Sequence, residues 1–296
     1  MNYKETLQKN LKRVEALVDD NLQMLDGGIP LFSWIEISPV EICNRKCVFC
    51  PKADTENYPN NNLHMSEVLY EKMACELELL NFQGTIMIAG YGEPLLYRRL
   101  LSMVLAFSKI ANTEITTNGD FLTVDKIENL MSAGINKIIV SLYDGQWQIE
   151  KFRRLFEKAN FPEELFILRD RWYREDDDFG VKLTNRAGTV ITGRQPRVQV
   201  EKKCYYPHYS MMIDWNGDAY LCTQDWNRKV STGNVMQSSM LEVWTSNTLK
   251  RYRIRLNTGM RDLSPCCKCN AEGTLHGWNH AEVWEKYYGK GNGDVH

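Results

Sequence analysis

From Phe32 to Leu168, short apolar runs alternate with helix-like stretches, and this alternation limits the fold more than any other feature of the chain. Strands are predicted at Phe32 to Ser38, Gly84 to Ala89, Glu114 to Thr117, Lys137 to Leu142 and Leu165 to Leu168. Between them the spacing predicts helices at Ser66 to Leu80, Leu95 to Ile110, Thr123 to Met131 (stopped by Gly134) and Trp147 to Lys158. Such an order builds βαβ units, hence an α/β fold with a parallel sheet or barrel whose site lies at the C-terminal ends of the strands. Each motif that carries chemistry falls just after a predicted strand.

The flanks read differently. Leu7, Leu11, Val14, Val18, Leu22 and Leu25 form the stripe of one amphipathic helix, stopped by Gly27, Gly28 and Pro30. Arg169 to Asp178 is a charge run, read as a solvated boundary loop. Beyond it, Asn216-Gly217 between Met211 to Asp214 and Ala219 to Cys222 is a hairpin signal. Helical text at Met240 to Trp244 and Leu249 to Leu256 follows, and the last residues read as a frayed tail. The expected organisation is an N-terminal helix (1–29), a partial (β/α) barrel (30–195) and a cysteine-bearing C-terminal domain (196–296).

The chain has 36 Lys plus Arg against 38 Asp plus Glu, a net charge of -2, so no basic field exists to hold nucleic acid. No apolar run approaches a membrane span and the first residues are charged throughout, which predicts a cytoplasmic protein with a small-molecule substrate. Nine cysteines are an odd number in a chain too long to need stapling, and in a reducing compartment they read as metal ligands or catalysts. Cys43, Cys47 and Cys50 form C-x3-C-x2-C, which lets three thiolates wrap one face of a cubic iron-sulfur cluster and leave one iron open. A zinc site completed by His64, or unrelated thiols, are the alternatives. Cys204 and Cys222 bracket the hairpin and Cys266 and Cys269 form C-x2-C, four thiolates able to close around a second cluster or a ribbon-type zinc.

These motifs resemble the radical S-adenosylmethionine (SAM) superfamily, whose C-x3-C-x-aromatic-C is met by Cys43, Cys47, Phe49 and Cys50. Gly90-Tyr91-Gly92-Glu93-Pro94 is similar to the family's GGEP motif, with Tyr91 in place of the second glycine. The resemblance implies SAM contacts from Phe49 (adenine), Tyr91, Gly92, Glu93 and Pro94 (amino group), and Thr117, Asn118 and Ser141 (ribose and carboxylate). The second cysteine set resembles the Twitch form of the SPASM domain, which holds one auxiliary 4Fe-4S cluster. Asn185-Arg186-x-Gly188 and Thr117-Asn118-Gly119-Asp120 are similar to Twitch dehydrogenases of aminoglycoside biosynthesis, so the likeness spans roughly Ile35 to Asn270. It implies substrate contacts from Tyr91, Arg186, Thr223 and Gln224, the last standing where that family has an acid. Implied cofactors are SAM and two 4Fe-4S clusters, with a flavodoxin or ferredoxin-type protein as electron donor.

The implied activity is generation of a 5'-deoxyadenosyl radical that takes hydrogen from a hydroxyl-bearing carbon of a carbohydrate or aminocyclitol, leading to oxidation. An epimerase with Cys267 as hydrogen donor, a modifier of ribosomal peptides, and a non-enzymatic zinc or iron-sulfur module are the alternatives. The bland readings are a bystander thiol for Cys267, a surface residue in a turn for Arg186 and a core thiol for Cys75. Trp147, Trp172, Tyr205 and Trp226 are aromatic candidates for the pocket.

Overall fold

The computed structural model describes residues 3–171, 184–190, 198 and 200–290. After α1 (Tyr3–Val18), strands and helices alternate: β1 (Trp34–Ile37), α2 (Glu67–Leu79), β2 (Thr85–Ile88), α3 (Leu100–Ser108), β3 (Asn112–Thr117), α4 (Val124–Ser132), β4 (Lys137–Leu142), α5 (Trp147–Lys158) and β5 (Phe166–Asp170). The C-terminal part adds α6 (Tyr206–Tyr209), β6 (Ser210–Ile213), β7 (Asp218–Tyr220), β8 (Ser231–Asn234), α7 (Met240–Trp244), α8 (Asn247–Asn257) and α9 (Trp278–Gly289). All eight strands join one sheet in the order β5-β4-β3-β2-β1-β6-β7-β8. β1 to β6 pair in parallel, and only the β6-β7-β8 edge is antiparallel. This is an open, partial barrel, and its sheet runs on through β6 into the C-terminal part.

Alternation along the strands divides the apolar side chains. Ile35, Ile37, Ile86, Ile88, Ile115, Ile138, Val140 and Leu168 pack outward under the helices in the main core. Met87, Ala89, Ile139, Trp34 and Ile167 meet on the opposite, concave face. Thr123 caps α4 and Ser66 caps α2, each hydroxyl accepting a backbone N–H of the first turn.

Several expectations change. α1 stops at Val18 rather than running to Leu25, because Asp19 turns away to bind the start of α9: it accepts from the Gly277 N–H and its carbonyl accepts from Asn279. Arg13 of α1 pairs with buried Glu114 near the start of β3, so α1 covers the barrel's N-terminal end. The helix read from Leu95 opens as one 3-10 turn (Pro94–Leu96) and restarts at Leu100. Cys75 is exposed on α2, not in the core. β8 and α9 were not legible in the sequence.

Candidate functional site

The C-x3-C-x2-C loop is fastened to the strand ends by its intervening residues. Asn60 both accepts from the Cys43 N–H (2.8 Å) and donates to the Cys43 carbonyl (2.7 Å). Asn118 donates to Asn44 (2.8 Å), which donates to Asp120 (2.6 Å). Arg45 forks onto two carboxylates, Asp120 after β3 (2.6 and 2.5 Å) and Asp144 after β4 (2.7 and 2.7 Å). A guanidinium is the side chain that can hold two carboxylates at once, so Arg45 draws two adjacent strand ends and the cysteine loop together. Its side chain stands 5.4 Å from the Tyr143 ring, against which Phe49 stacks at 5.5 Å. Arg45 was missed in the sequence, where its acidic partners lie far along the chain.

The GGEP-like segment joins the same constellation. Glu93 is 3% exposed; one oxygen accepts from Thr117 (2.5 Å) and the Leu95 N–H (3.0 Å), the other from the Asn118 N–H (2.9 Å). Gly92 is required by contact: a Cβ there would lie 2.3 Å from the Val40 carbonyl oxygen. Tyr91 departs from the motif and turns toward the hairpin. Its hydroxyl donates to the Asp225 carbonyl (3.2 Å), its ring meets Trp226 edge-on at 4.6 Å and Arg228 lies 4.8 Å from it. Tyr91 thus lines a pocket of about 300 Å³ with Glu41, Lys52, Trp226 and Arg228, among whose lining residues Arg186 is not found. Ser141, at the end of β4, accepts from Arg169 of β5 (2.9 Å).

The second set of thiols is enclosed. Cys204, Cys222, Cys266 and Cys269 line one small pocket with Ala187, Tyr206, Leu221, Gln224, Leu256 and Arg261. Burial pushes the Cys204 thiol up to about 11 and raises the others, and each of the four is raised further by neighbouring thiols of the set or lowered by Arg261. Arg261, 2% exposed, gives its hydrogen bonds to four carbonyls, those of Lys202, Ala271, Lys203 and Glu272 (2.7 to 3.0 Å). It is a fixed cation beside four thiols, with no carboxylate among those partners. Gly273 passes so close that a Cβ would lie 2.6 Å from Cys204 Sγ. Gln224, 6% exposed, lines the pocket with its Oε1 lacking a hydrogen-bond partner among the described residues. Thr223 is half-buried beside it. Cys267 does not line the pocket.

Between the two sets stands Arg186. Arg186, Ala187 and Gly188 all have positive φ (47°, 53° and 87°), a strained left-handed turn for two non-glycine residues. Asn185 holds it: its N–H donates to Asn270 (2.7 Å), its amide donates to the Lys268 carbonyl (2.7 Å), and its Oδ1 accepts from the Asn270 N–H (3.2 Å). The turn is thereby bolted to the Cys266–Cys269 segment. The Arg186 charge lowers Cys269 and Tyr206 on one side and Cys50 and Glu36 on the other, in each case against a larger upward push from burial.

Both thiol sets suit an iron-sulfur cluster. None of the nine cysteines is in a disulfide, and burial raises Cys47 to about 12 with Cys43 and Cys50 also raised; a bound cation would offset that cost by taking the protons' place. His64, the residue that would complete a zinc site, bonds Asn62 through Nε2 (2.6 Å) and stacks on Tyr97. Of the aromatic candidates, Trp226 packs on Tyr91, Tyr205 on His208, and Trp147 is exposed; Trp172 lies outside the described residues.

Residues 37–166 match the radical SAM superfamily, and residues 204–270 match an iron-sulfur cluster-binding domain, SPASM. The chain thus carries a radical SAM domain followed by a SPASM domain. The S-adenosyl-L-methionine-dependent 2-deoxy-scyllo-inosamine dehydrogenase of Niallia circulans is 29% identical over 244 residues, 81% of this chain and 93% of that protein. The crystal structure of BtrN in complex with AdoMet and 2-DOIA matches with a TM-score of 0.70 at 28% identity, covering 84% of this chain and 98% of that one. GTP 3',8-cyclase of Campylobacter jejuni subsp. doylei is 32% identical over 116 residues, 37% of this chain and 34% of that protein, a likeness confined to part of each. The two matched domains imply SAM and iron-sulfur clusters as cofactors. No helix of the described residues is long and apolar enough to cross a membrane.

Proposed function

We propose that this enzyme oxidises a secondary hydroxyl of an aminocyclitol or sugar-like small molecule to a ketone. The observation that carries the reading is the position of Arg186, delivered by a strained turn from the auxiliary thiols toward Cys50 and the barrel lumen. Oxidation takes two electrons from the substrate, and a second thiol set bound to the same turn as a substrate-facing arginine puts an acceptor beside it. Cys43, Cys47 and Cys50 would hold the open cluster, and Cys204, Cys222, Cys266 and Cys269 the auxiliary one.

When bound, SAM at the reduced open cluster supplies a carbon-centred radical that removes hydrogen from a C–H bond. The chain's own residues orient and enclose. Phe49, with Tyr143 behind it, offers a flat apolar face for the adenine, and the rigid Glu93-Thr117-Asn118 knot fixes the strand ends where the methionyl and ribose parts would lie. Ser141 contributes at the next strand end. Arg186 donates hydrogen bonds to substrate oxygens. Gln224, with its free Oε1, and Thr223 extend the polar lining; an amide in place of an acid favours hydroxyl over ammonium at that corner. Tyr91 acts through packing, holding the hairpin that carries Cys222 against the barrel. A flavodoxin or ferredoxin-type protein would supply the electron. Cys267 is not among the residues lining the auxiliary-thiol pocket or the pocket beside Tyr91, and no contact of its own favours the epimerase reading.

Reconstituted enzyme, dithionite, SAM and 2-deoxy-scyllo-inosamine in deuterated buffer should yield one ketone for each 5'-deoxyadenosine. Recovery of an epimer carrying solvent deuterium at the carbinol carbon would refute oxidation.

A further inference from the structure

One carboxyl in the barrel lumen has no role in the reading above. With Ile35 and Ile37 turned outward into the main core, Glu36 faces the lumen, where its register partners are Met87 on β2 and Met212 on β6. Glu114, also on a strand, is already tied to Arg13 and Asn112. Glu36 differs: it makes no hydrogen bond among the described residues, yet its oxygens are not sealed off as buried orphans. The charged groups acting on it are Arg186 from the strained turn and Arg169 from β5, itself bonded to Ser141; β2 and β6 present only methionine. Enclosure raises its pKa to about 7, with burial the larger cause and the two arginines pulling it back. An acid with this value is half ionised at neutral pH, where a general base works best.

We propose that Glu36, set in the lumen beside Arg186 and Arg169, is the proton acceptor of the oxidation, an inference that rests on the oxidation reading itself. The step balances as follows. The carbinol C–H bond breaks and its hydrogen atom leaves to the radical that SAM supplies, which makes the remaining O–H far more acidic than in the parent alcohol. The O–H bond then breaks, its proton passing to the Glu36 carboxylate and its electron pair staying on oxygen. The resulting radical anion gives one electron to an acceptor of the iron-sulfur class, and the carbon-oxygen double bond closes. Arg186 stabilises the oxygen while it carries charge, and Arg169 keeps part of Glu36 ionised.

Glu36→Gln keeps the volume and removes the base. With 2-deoxy-scyllo-inosamine as probe, the variant should still form 5'-deoxyadenosine and bind the probe within a few-fold of wild type, while ketone formation falls ~10²–10⁴-fold and the acidic limb of kcat/KM near pH 7 disappears. A substrate-derived radical should accumulate by electron paramagnetic resonance. A readout without cofactor accompanies this. Because the folded-state pKa is raised from 4.5 to about 7, wild type binds a proton on folding in that window and loses stability as pH rises through it; Glu36→Gln should not, so its Tm advantage should open between pH 5 and 7 and then stay constant.

Ketone formation by Glu36→Gln at the wild-type rate, a defect lying wholly in probe affinity, or a Tm difference that ignores pH would each overturn the proposal. If wild type cleaves SAM with the probe present yet makes no ketone, the oxidation reading fails and the role of Glu36 falls with it.

Discussion

The two thiol sets are built by opposite means. Cys43, Cys47 and Cys50 sit half-buried on a loop held by polar tethers that remain partly exposed, with Asp144 of the Arg45 fork 41% accessible. Cys222, Cys266 and Cys269 are buried in an apolar pocket with one enclosed cation, Arg261, whose hydrogen bonds end on carbonyls. An open coordination position needs a face that ligands can reach, so its support must come from the loop's flanks. A closed centre can be folded into the core and made part of it. The lesson is that stability should depend on the second set and turnover on the first.

The sharpest way to break this contrast is to remove one ligand from each set. Cys43→Ala should cost about half the iron, one of two clusters, and all 5'-deoxyadenosine formation, with little change in Tm. Cys222→Ala should also lose about half the iron, but lower Tm strongly, since the metal there contributes to folding. Iron analysis paired with thermal melts decides it, and equal Tm losses would defeat the distinction.

Next in size is Arg261→Leu. Four carbonyls lose their donor in the interior, and a loss of about 3 kcal/mol in denaturant unfolding is expected, together with poorer loading of the second set only. The corresponding change at the first set is smaller. Arg45→Ala removes a partly exposed fork worth about 1 kcal/mol, and its effect should shrink in high salt; the measurement is cluster occupancy against ionic strength.

The smallest effect is a difference in acid response. Burial beside Arg253 drives His208 down to about 3, so the unfolded chain binds a proton that the folded chain refuses, and stability is lost as pH falls from about 6.5 toward 3. Asp144 is held below its ordinary 3.8 by Arg45, so that contribution is present above 3.8 and lost only below it. Acidification from pH 7 to 5 should therefore loosen the packing of Trp244 and Trp284 around Arg253 while the cysteine loop stays tethered. Tryptophan fluorescence compared with thiol accessibility of apo protein tests the order.

The cysteines were legible because cluster ligation imposes short spacings that survive in one dimension. The strand ends were legible too, since Gly92-Glu93-Pro94 and Thr117-Asn118-Gly119 combine a strand stop with a turn. Arg45 and Arg261 were not: their partners are backbone carbonyls or carboxylates up to 99 residues away, and a lone arginine carries no mark of what it binds. Glu36 left a weaker signal, one acid inside the apolar run Trp34 to Ile37, which identifies a lumen-facing group only once the parallel sheet is known.

The sequence by itself determined the βα alternation, the two cysteine sets and the motifs at the strand ends, because each depends on local periodicity or on the reach of a short loop. It also set Cys75 apart from the three-plus-four ligand cysteines by its helical surroundings, and Cys267 by the C-x2-C spacing of its neighbours. That β6 joins β1, so that the sheet runs on into the part carrying the second set, was settled by the tertiary structure. It alone decided that Arg186 faces Cys50 and Glu36 as well as Cys269, that Tyr91 is turned to the hairpin, and that α1 covers the barrel's N-terminal end. Those relations depend on the sheet's register and on hydrogen bonds between distant segments, which spacing along the chain does not encode.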